Sequence, residues 1–261
     1  MVKGASIKFS TYHESVPQLL NLLQLQKELK KYDKIVIKPF VKDLESNNTS
    51  KELLDELLNF CTANKNPVAE IFIAEGVDGE DTLQMFEHLG YRELAEKYSA
   101  SLLDLNESET EEIEAPSFLR FPTIHYPKIL LESFVISLTP VLENDETDMS
   151  ASLSNMLGAF PASHYKGIFS KRKTKLDKHP AKFAIHDILQ CKLPEFAIID
   201  TSEYGTIIAG QPFEVDKQAA KFLGREWKTI PYLCLLDETL AEKAEFREKI
   251  EKAHAKREEN Q

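Results

Sequence analysis

The 261-residue chain carries 32 Lys plus Arg against 43 Asp plus Glu, a formal net charge of −11, with 42% hydrophobic and 29% charged residues. These proportions exclude wholesale disorder, permit a buried core without disulfide or metal support, and argue against generic binding to a nucleic-acid backbone. Nine glycines leave little material for phosphate-cradling loops, and neither a Walker loop nor a G-x-G-x-x-G run occurs.

In chain order, the first residues carry no apolar signal segment and no later run is long enough to cross a bilayer, so a cytoplasmic protein without membrane partners is expected. Ser15 before Val16-Pro17 reads as a helix start, with Val16, Leu19, Leu20 and Leu23 at helical spacing. Lys34-Ile-Val-Ile-Lys38 is a β-branched run ended by Pro39, the pattern of a strand feeding a turn. Thr49 or Ser50 starts a helix with Leu53, Leu54, Leu57, Leu58 and Cys61 on one side. Glu70-Ile-Phe-Ile-Ala74 reads as a second strand, ended by Glu75-Gly76. Thr82 to Leu89 is helical with Gly90 just beyond it, and a helix over Glu93 to Tyr98 precedes a third strand at Leu102 to Leu105.

The carboxylates between Asp104 and Glu114 lack the spacing and turn glycine of a calcium loop and read as a solvated loop or edge strand. Phe134-Val-Ile-Ser-Leu138 is the next strand, and its exit through Asp148 is strongly acidic. Lys166 to Lys178 is the opposite, with five lysines and Arg172 against Asp177 alone. It reads as an exposed, mobile loop and as the one electrostatic candidate for a phosphate. His179-Pro180 opens a helix, Phe196-Ala-Ile-Ile-Asp200 is a buried strand, Ile207 to Gly210 pairs near it, and Asp216 to Leu223 is a helix stopped by Gly224. Glu238 to Glu259 is a charged helix with a thin apolar stripe.

Strand–helix alternation predicts an α/β fold, a mostly parallel or mixed sheet with helices on both faces, organised as one domain over 1–237 and a charged C-terminal helix or tail over 238–261. Cys61, Cys191 and Cys234 stand in apolar contexts without a C-x-x-C pair, and read as small core thiols. Seven histidines form no short ligand motif; His179 and His186 alone are spaced to share a helix face. Ligands of open α/β sheets bind beyond the carboxyl ends of the strands. There the sequence places Lys38, Glu75, Glu143, Asp145 and Asp200, a mixed set able to hold a small polar ligand or a cation, or to cap strand ends.

A series of short segments follows a recognisable order: Ile37-Lys38-Pro39, Ala74-Glu75-Gly76, Gly90-Tyr91-Arg92-Glu93-Leu94-Ala95, Leu103-Asp104-Leu105-Asn106, Phe134 to Leu138, Asn155-Met-Leu-Gly158, Phe196 to Asp200, Gly210-Gln-Pro212 and Ile230-Pro-Tyr-Leu233. In this order they resemble the family called domain of unknown function 362, over roughly residues 34 to 235. The resemblance implies an α/β protein, sometimes joined to a ferredoxin-like iron–sulfur module, with no general activity established. No iron–sulfur cluster and no other cofactor or resident metal is expected in this chain. Relatives follow the Ile-Ser-Leu strand with proline and Lys-Leu-Lys-Thr-His, and later carry Lys-Asn before a glycine. Here the matching stretches are Pro140-Val-Leu-Glu143-Asn-Asp145 and Ser154-Asn155, and Phe40 replaces an asparagine after Lys-Pro. The resemblance thus implies that a cationic pocket has become acidic and apolar, suited to a divalent cation or basic ligand at Glu143, Asp145 and Asp148.

The expectation is a small-ligand-binding protein or enzyme. Lys38 and Glu75 would orient the ligand, Asp200 would position a proton or cation, and Glu143 and Asp145 would supply negative charge. The alternative is a catalytically inert interaction or scaffold protein with a partner on residues 238–261.

Overall fold

The computed structural model describes residues 3–258, apart from the side chains of residues 247 and 249–258. The first half comprises β1 (Gly4–Lys8), α1 (Tyr12–Leu22), α2 (Leu25–Leu29), β2 (Lys34–Pro39), α3 (Lys51–Asn64), β3 (Glu70–Glu75), α4 (Thr82–His88), α5 (Tyr91–Tyr98) and β4 (Ser101–Asp104). A hairpin of β5 (Thr110–Ile113) and β6 (Ile124–Pro127), then α6 (Lys128–Glu132), leads into β7 (Phe134–Pro140). A second hairpin of β8 (Leu142–Asn144) and β9 (Asp148–Ser150), a 3₁₀ turn over Ser154–Ala159 and α7 (Ala162–Tyr165) precede α8 (Ala181–Cys191). The chain continues through β10 (Phe196–Thr201), β11 (Thr206–Gly210), α9 (Pro212–Ala219) and α10 (Pro231–Glu258).

Seven strands form one sheet in the order β1-β11-β10-β7-β2-β3-β4. Strands β10, β7, β2, β3 and β4 run parallel, and β11 and β1 join through antiparallel pairings. Period-two alternation sends each strand's side chains to two cores. Ile35, Ile37, Ile71, Ile73, Ile136 and Leu138 pack with α1, α3, α4 and α5 on one face. Val36, Ala74, Val135, Ala197 and Ile199 pack with α8, α9 and the start of α10 on the other. The α/β class and the helices on both faces are as the alternation predicts.

The strand order matters for the site. The chain leaves β2 for β3 and β4 through α3, α4 and α5 on the first face, whereas β7 lies on the other side of β2 and crosses to β10 through α8 on the second face. Loops leaving the carboxyl ends of β2 and β7 therefore diverge, opening a crevice at this topological switch point.

Several boundaries differ from expectation. β1 carries no apolar run; it is an edge strand held by pairing Gly4 to Lys8 with Gly210 to Thr206. α1 starts at Tyr12, because Thr11 Oγ1 accepts the Glu14 N–H, while Ser15 Oγ accepts the Ser10 N–H and caps nothing. α10 begins at Pro231, since Tyr232, Leu233 and Leu236 are buried and belong to the same helix as the charged segment. Of the thiols, Cys61 is buried, while Cys191 and Cys234 are partly exposed. Among the described residues no helix is long and apolar enough to cross a membrane.

Candidate functional site

A cleft of about 830 Å³ opens at the switch point. Its walls come from the segment after β2 (Phe40 to Asn47), the exit of β3 (Glu75 to Glu80), the β8–β9 hairpin, the 3₁₀ turn and the chain from Arg172 into α8. The hairpin is shaped locally: Asn144 Oδ1 accepts the N–H groups of Glu146 and Thr147, and Glu146 in turn accepts the Ala181 N–H at the start of α8.

At the closed end lies a buried ion pair. Lys38 Nζ donates to Glu75 Oε2 at 2.6 Å, to the Asn155 carbonyl at 2.7 Å and to Asn155 Oδ1 at 3.3 Å, so all three ammonium protons have acceptors. Asn155 Nδ2 returns bonds to the Lys38 carbonyl and Ser137 Oγ, and Glu75 Oε1 accepts the Gly76 N–H. The pair thereby ties β2, β3, β7 and the 3₁₀ turn together. Burial pulls the Lys38 ammonium below its ordinary range, and the Glu75 carboxylate opposes that pull.

A second lysine reaches the same place from another part of the chain. Lys173 is only 4% exposed, and its Nζ donates to the carbonyls of Gly76 (2.7 Å) and Gly158 (3.3 Å). Asp78 anchors this segment by accepting the Lys173 backbone N–H and pairing with Arg172 at 3.2 Å. Burial lowers Lys173 to about 8; Glu75 resists the shift and Lys38 adds to it. Gly76 and Gly158 permit the close approach. A Cβ on Gly158 would collide with Glu75 Oε1, and one on Gly76 would collide with the Gly158 carbonyl.

The expected site residues are only partly gathered. Glu75 and Glu143 line the cleft, and Lys38 lies directly behind the lining through Glu75 and Asn155. Asp145, at the hairpin turn, is not among the lining residues. Asp200 points elsewhere, accepting the Tyr12 hydroxyl at 2.6 Å and the Ser202 N–H at 3.0 Å. Asp148 pairs with Arg225. The basic stretch is not uniformly exposed as expected: Ile168 and Phe169 are fully open, but Lys173 is buried because two carbonyls at strand and turn ends accept its protons. Asn155 is not among the expected site residues, and Lys173 is expected only as one of the basic stretch Lys166 to Lys178, with no spacing that separates it from Lys171 or Lys175. His179 lines the cleft, whereas His186 is buried between Asp187 and Thr239, so the two do not meet. Among the described residues no three His, Cys, Asp or Glu side chains converge as metal ligands.

Comparison with known families places this geometry. The sequence profile of a domain of unknown function, DUF362, matches residues 20–220. The chain belongs to the DUF362 family. Both walls of the switch-point crevice fall inside the matched span. No curated protein matches the sequence significantly. Among solved structures, the lactate racemase apoprotein from Thermoanaerobacterium thermosaccharolyticum is similar in fold, with a TM-score of 0.59 and 17% identity. The likeness covers 82% of this chain and 55% of that one, so the present chain spans little more than half the racemase's length.

Proposed function

We propose that this DUF362 protein binds a small polar molecule in the switch-point cleft, with Lys173 as the group suited to move a proton there. The supporting observation is the cluster of Lys38, Glu75 and Lys173, buried at the closed end of a cleft of about 830 Å³. Burying charge is costly, and clusters of this kind concentrate at functional sites. A lysine lowered to about 8 holds and releases a proton near physiological pH, as a general acid or base requires.

The test is a thermal-shift and calorimetric panel of metabolites and divalent cations. It compares wild type with Asn47→Trp, which places a large side chain in the mouth. A ligand that stabilises wild type but not the Trp variant supports the site. A panel with no response, or a response unchanged by Asn47→Trp, overturns it.

A second reading, partner binding through the C-terminal helix, has Phe246 behind it, 65% exposed on α10. Residues 259–261 and most side chains after Phe246 lie outside the described residues. Deletion from residue 245 onward should then release a co-purifying protein.

A further inference from the structure

We infer that the ligand is amphoteric, with an anionic oxygen group seated on the Lys173 ammonium at the closed end and a cationic group facing the carboxylates of the mouth. This rests on the cleft being a small-ligand site.

The inference follows from where the protons and charges of the cluster go. Lys38 distributes its three protons among Glu75 Oε2 and the two oxygens of Asn155, so Lys38 and Glu75 neutralise each other. Lys173 gives two protons to carbonyls, which are neutral. Asp78, on the facing exit of β3, spends its oxygens on the Lys173 backbone N–H and the Arg172 guanidinium. Lys173 is therefore a buried ammonium with no carboxylate in hydrogen-bond contact and a proton left to donate; Asp104, which accepts from the Thr82 hydroxyl and the Asn106 N–H, acts on it only through space. A buried ammonium without a carboxylate in contact is costly, and an incoming anion relieves that cost. A neutral ligand leaves the charge uncompensated, and a cation adds to it.

The mouth has the opposite sign. Asp43, Asp78, Glu80, Glu143, Glu146 and Asp177 line it, against Lys42 and Arg172. A simple anion entering past these carboxylates is repelled, whereas a molecule that also carries an ammonium group is drawn in and held at both ends.

A protonic consequence separates a ligand anchor from a purely structural lysine. The charges facing Lys173 are Glu75, Asp78 and Asp104, which favour its charged form, and Lys38, which opposes it. An anion seated on Lys173 raises its affinity for a proton, so binding near pH 8 draws protons from solution.

The experiment is isothermal titration calorimetry of the full chain at pH 8 in two buffers of different ionisation enthalpy. The probes are γ-aminobutyrate and phosphoethanolamine as amphoteric compounds, acetate and inorganic phosphate as anions, putrescine as a dication and glycerol as a neutral control. Amphoteric probes should bind about 10-fold or more tightly than any single-signed probe, with proton uptake. Lys173→Met should remove the uptake and weaken them about 10-fold. The double variant Glu80→Gln, Glu143→Gln, altered only at the mouth, should weaken the amphoteric probes and spare acetate. Equal binding of anionic and amphoteric probes, preference for putrescine or glycerol, or proton uptake that survives Lys173→Met overturns the inference. If all these probes are silent while the broader panel yields a ligand blocked by Asn47→Trp, the amphoteric assignment alone fails. Silence in both removes the small-ligand reading as well.

Discussion

Replacing Gly158 by alanine tests whether the closed end of the cleft is as tightly constrained as its geometry implies. An added Cβ would collide with Glu75 Oε1 and lie 2.6 Å from Lys38 Nζ. Neither side chain can swing away freely: Glu75 is held by Lys38 Nζ and the Gly76 N–H, and Lys38 by Glu75 and both oxygens of Asn155. The methyl group must therefore separate a buried ion pair, which costs about 3–5 kcal/mol. A protein of this length loses about 2–4 °C of melting temperature per kcal/mol, giving a fall of roughly 6–20 °C in a circular dichroism melt. Shortening the acid with Glu75→Asp withdraws the oxygen from the collision. The added cost of Gly158→Ala should then shrink, a non-additivity expected of residues in contact. A Gly158→Ala protein that melts within about 2 °C of wild type would refute the reasoning. So would an equal penalty in both backgrounds.

Other outcomes follow from the same buried charges. Lys38→Met leaves Glu75 buried without its cation and should cost about 3–5 kcal/mol in urea unfolding, while Lys38→Met with Glu75→Leu should recover much of it. A double variant no more stable than the single would contradict this. Asp187 accepts the N–H groups of Leu119, Arg120 and Phe121 and contacts His186. Burial pushes its carboxyl up, but these hydrogen bonds prevail and hold it below the usual range. Its stabilisation is present above the unfolded pKa and lost as pH falls through the folded one, so Asp187→Asn should be most destabilising near neutrality and least in acid. Asp216 has the opposite sign. Burial raises it to about 7, despite bonds from Ser152, Leu153 and Tyr232, so its contribution is greatest in acid and is lost as pH rises through about 7. The fall in melting temperature that Asp216 adds between pH 4 and 7 should be absent in Asp216→Asn; an identical pH profile would count against it.

Much of the sheet was legible because its central strands are short β-branched runs, and burial on both faces leaves such runs little alternative. Lys38 and Glu75 were legible for a related reason: each is the charged residue at the carboxyl end of such a run, beside Pro39 or Gly76. β1 was not legible, since Gly-Ala-Ser-Ile-Lys is held at the edge by backbone pairing with β11 and not by its own apolar content. The hairpin of β5 and β6 was masked by carboxylates: Glu111 and Glu112 are exposed on a two-stranded ribbon outside the main sheet. Lys173 was hidden by composition. Among neighbouring cations only three-dimensional proximity to the Gly76 and Gly158 carbonyls distinguishes it, and local sequence carries no record of that. Asp200 shows the converse failure: its place at a strand end was correctly read, but Tyr12 on α1 takes its carboxylate.

The charge pattern of the cleft is a consequence of this division. The resemblance to DUF362 relatives implies cations on the segment after β7, and here that segment supplies Glu143 to the mouth. Lys173 nevertheless brings a second ammonium to the closed end, entering from the connection between α7 and α8 and secured by Asp78. A buried ammonium can settle only where acceptors are already fixed in place. At the switch point the Gly76 and Gly158 carbonyls provide them, one at the exit of β3 and the other in the 3₁₀ turn that Asn155 ties to β2 and β7. The position of the Lys173 ammonium is thus set by backbone and glycine geometry, whereas the outer surface accepts either sign at little cost. Reversing charge at the mouth should accordingly leave the melting temperature nearly unchanged, while changing Gly76, Gly158 or Asn155 should lower it.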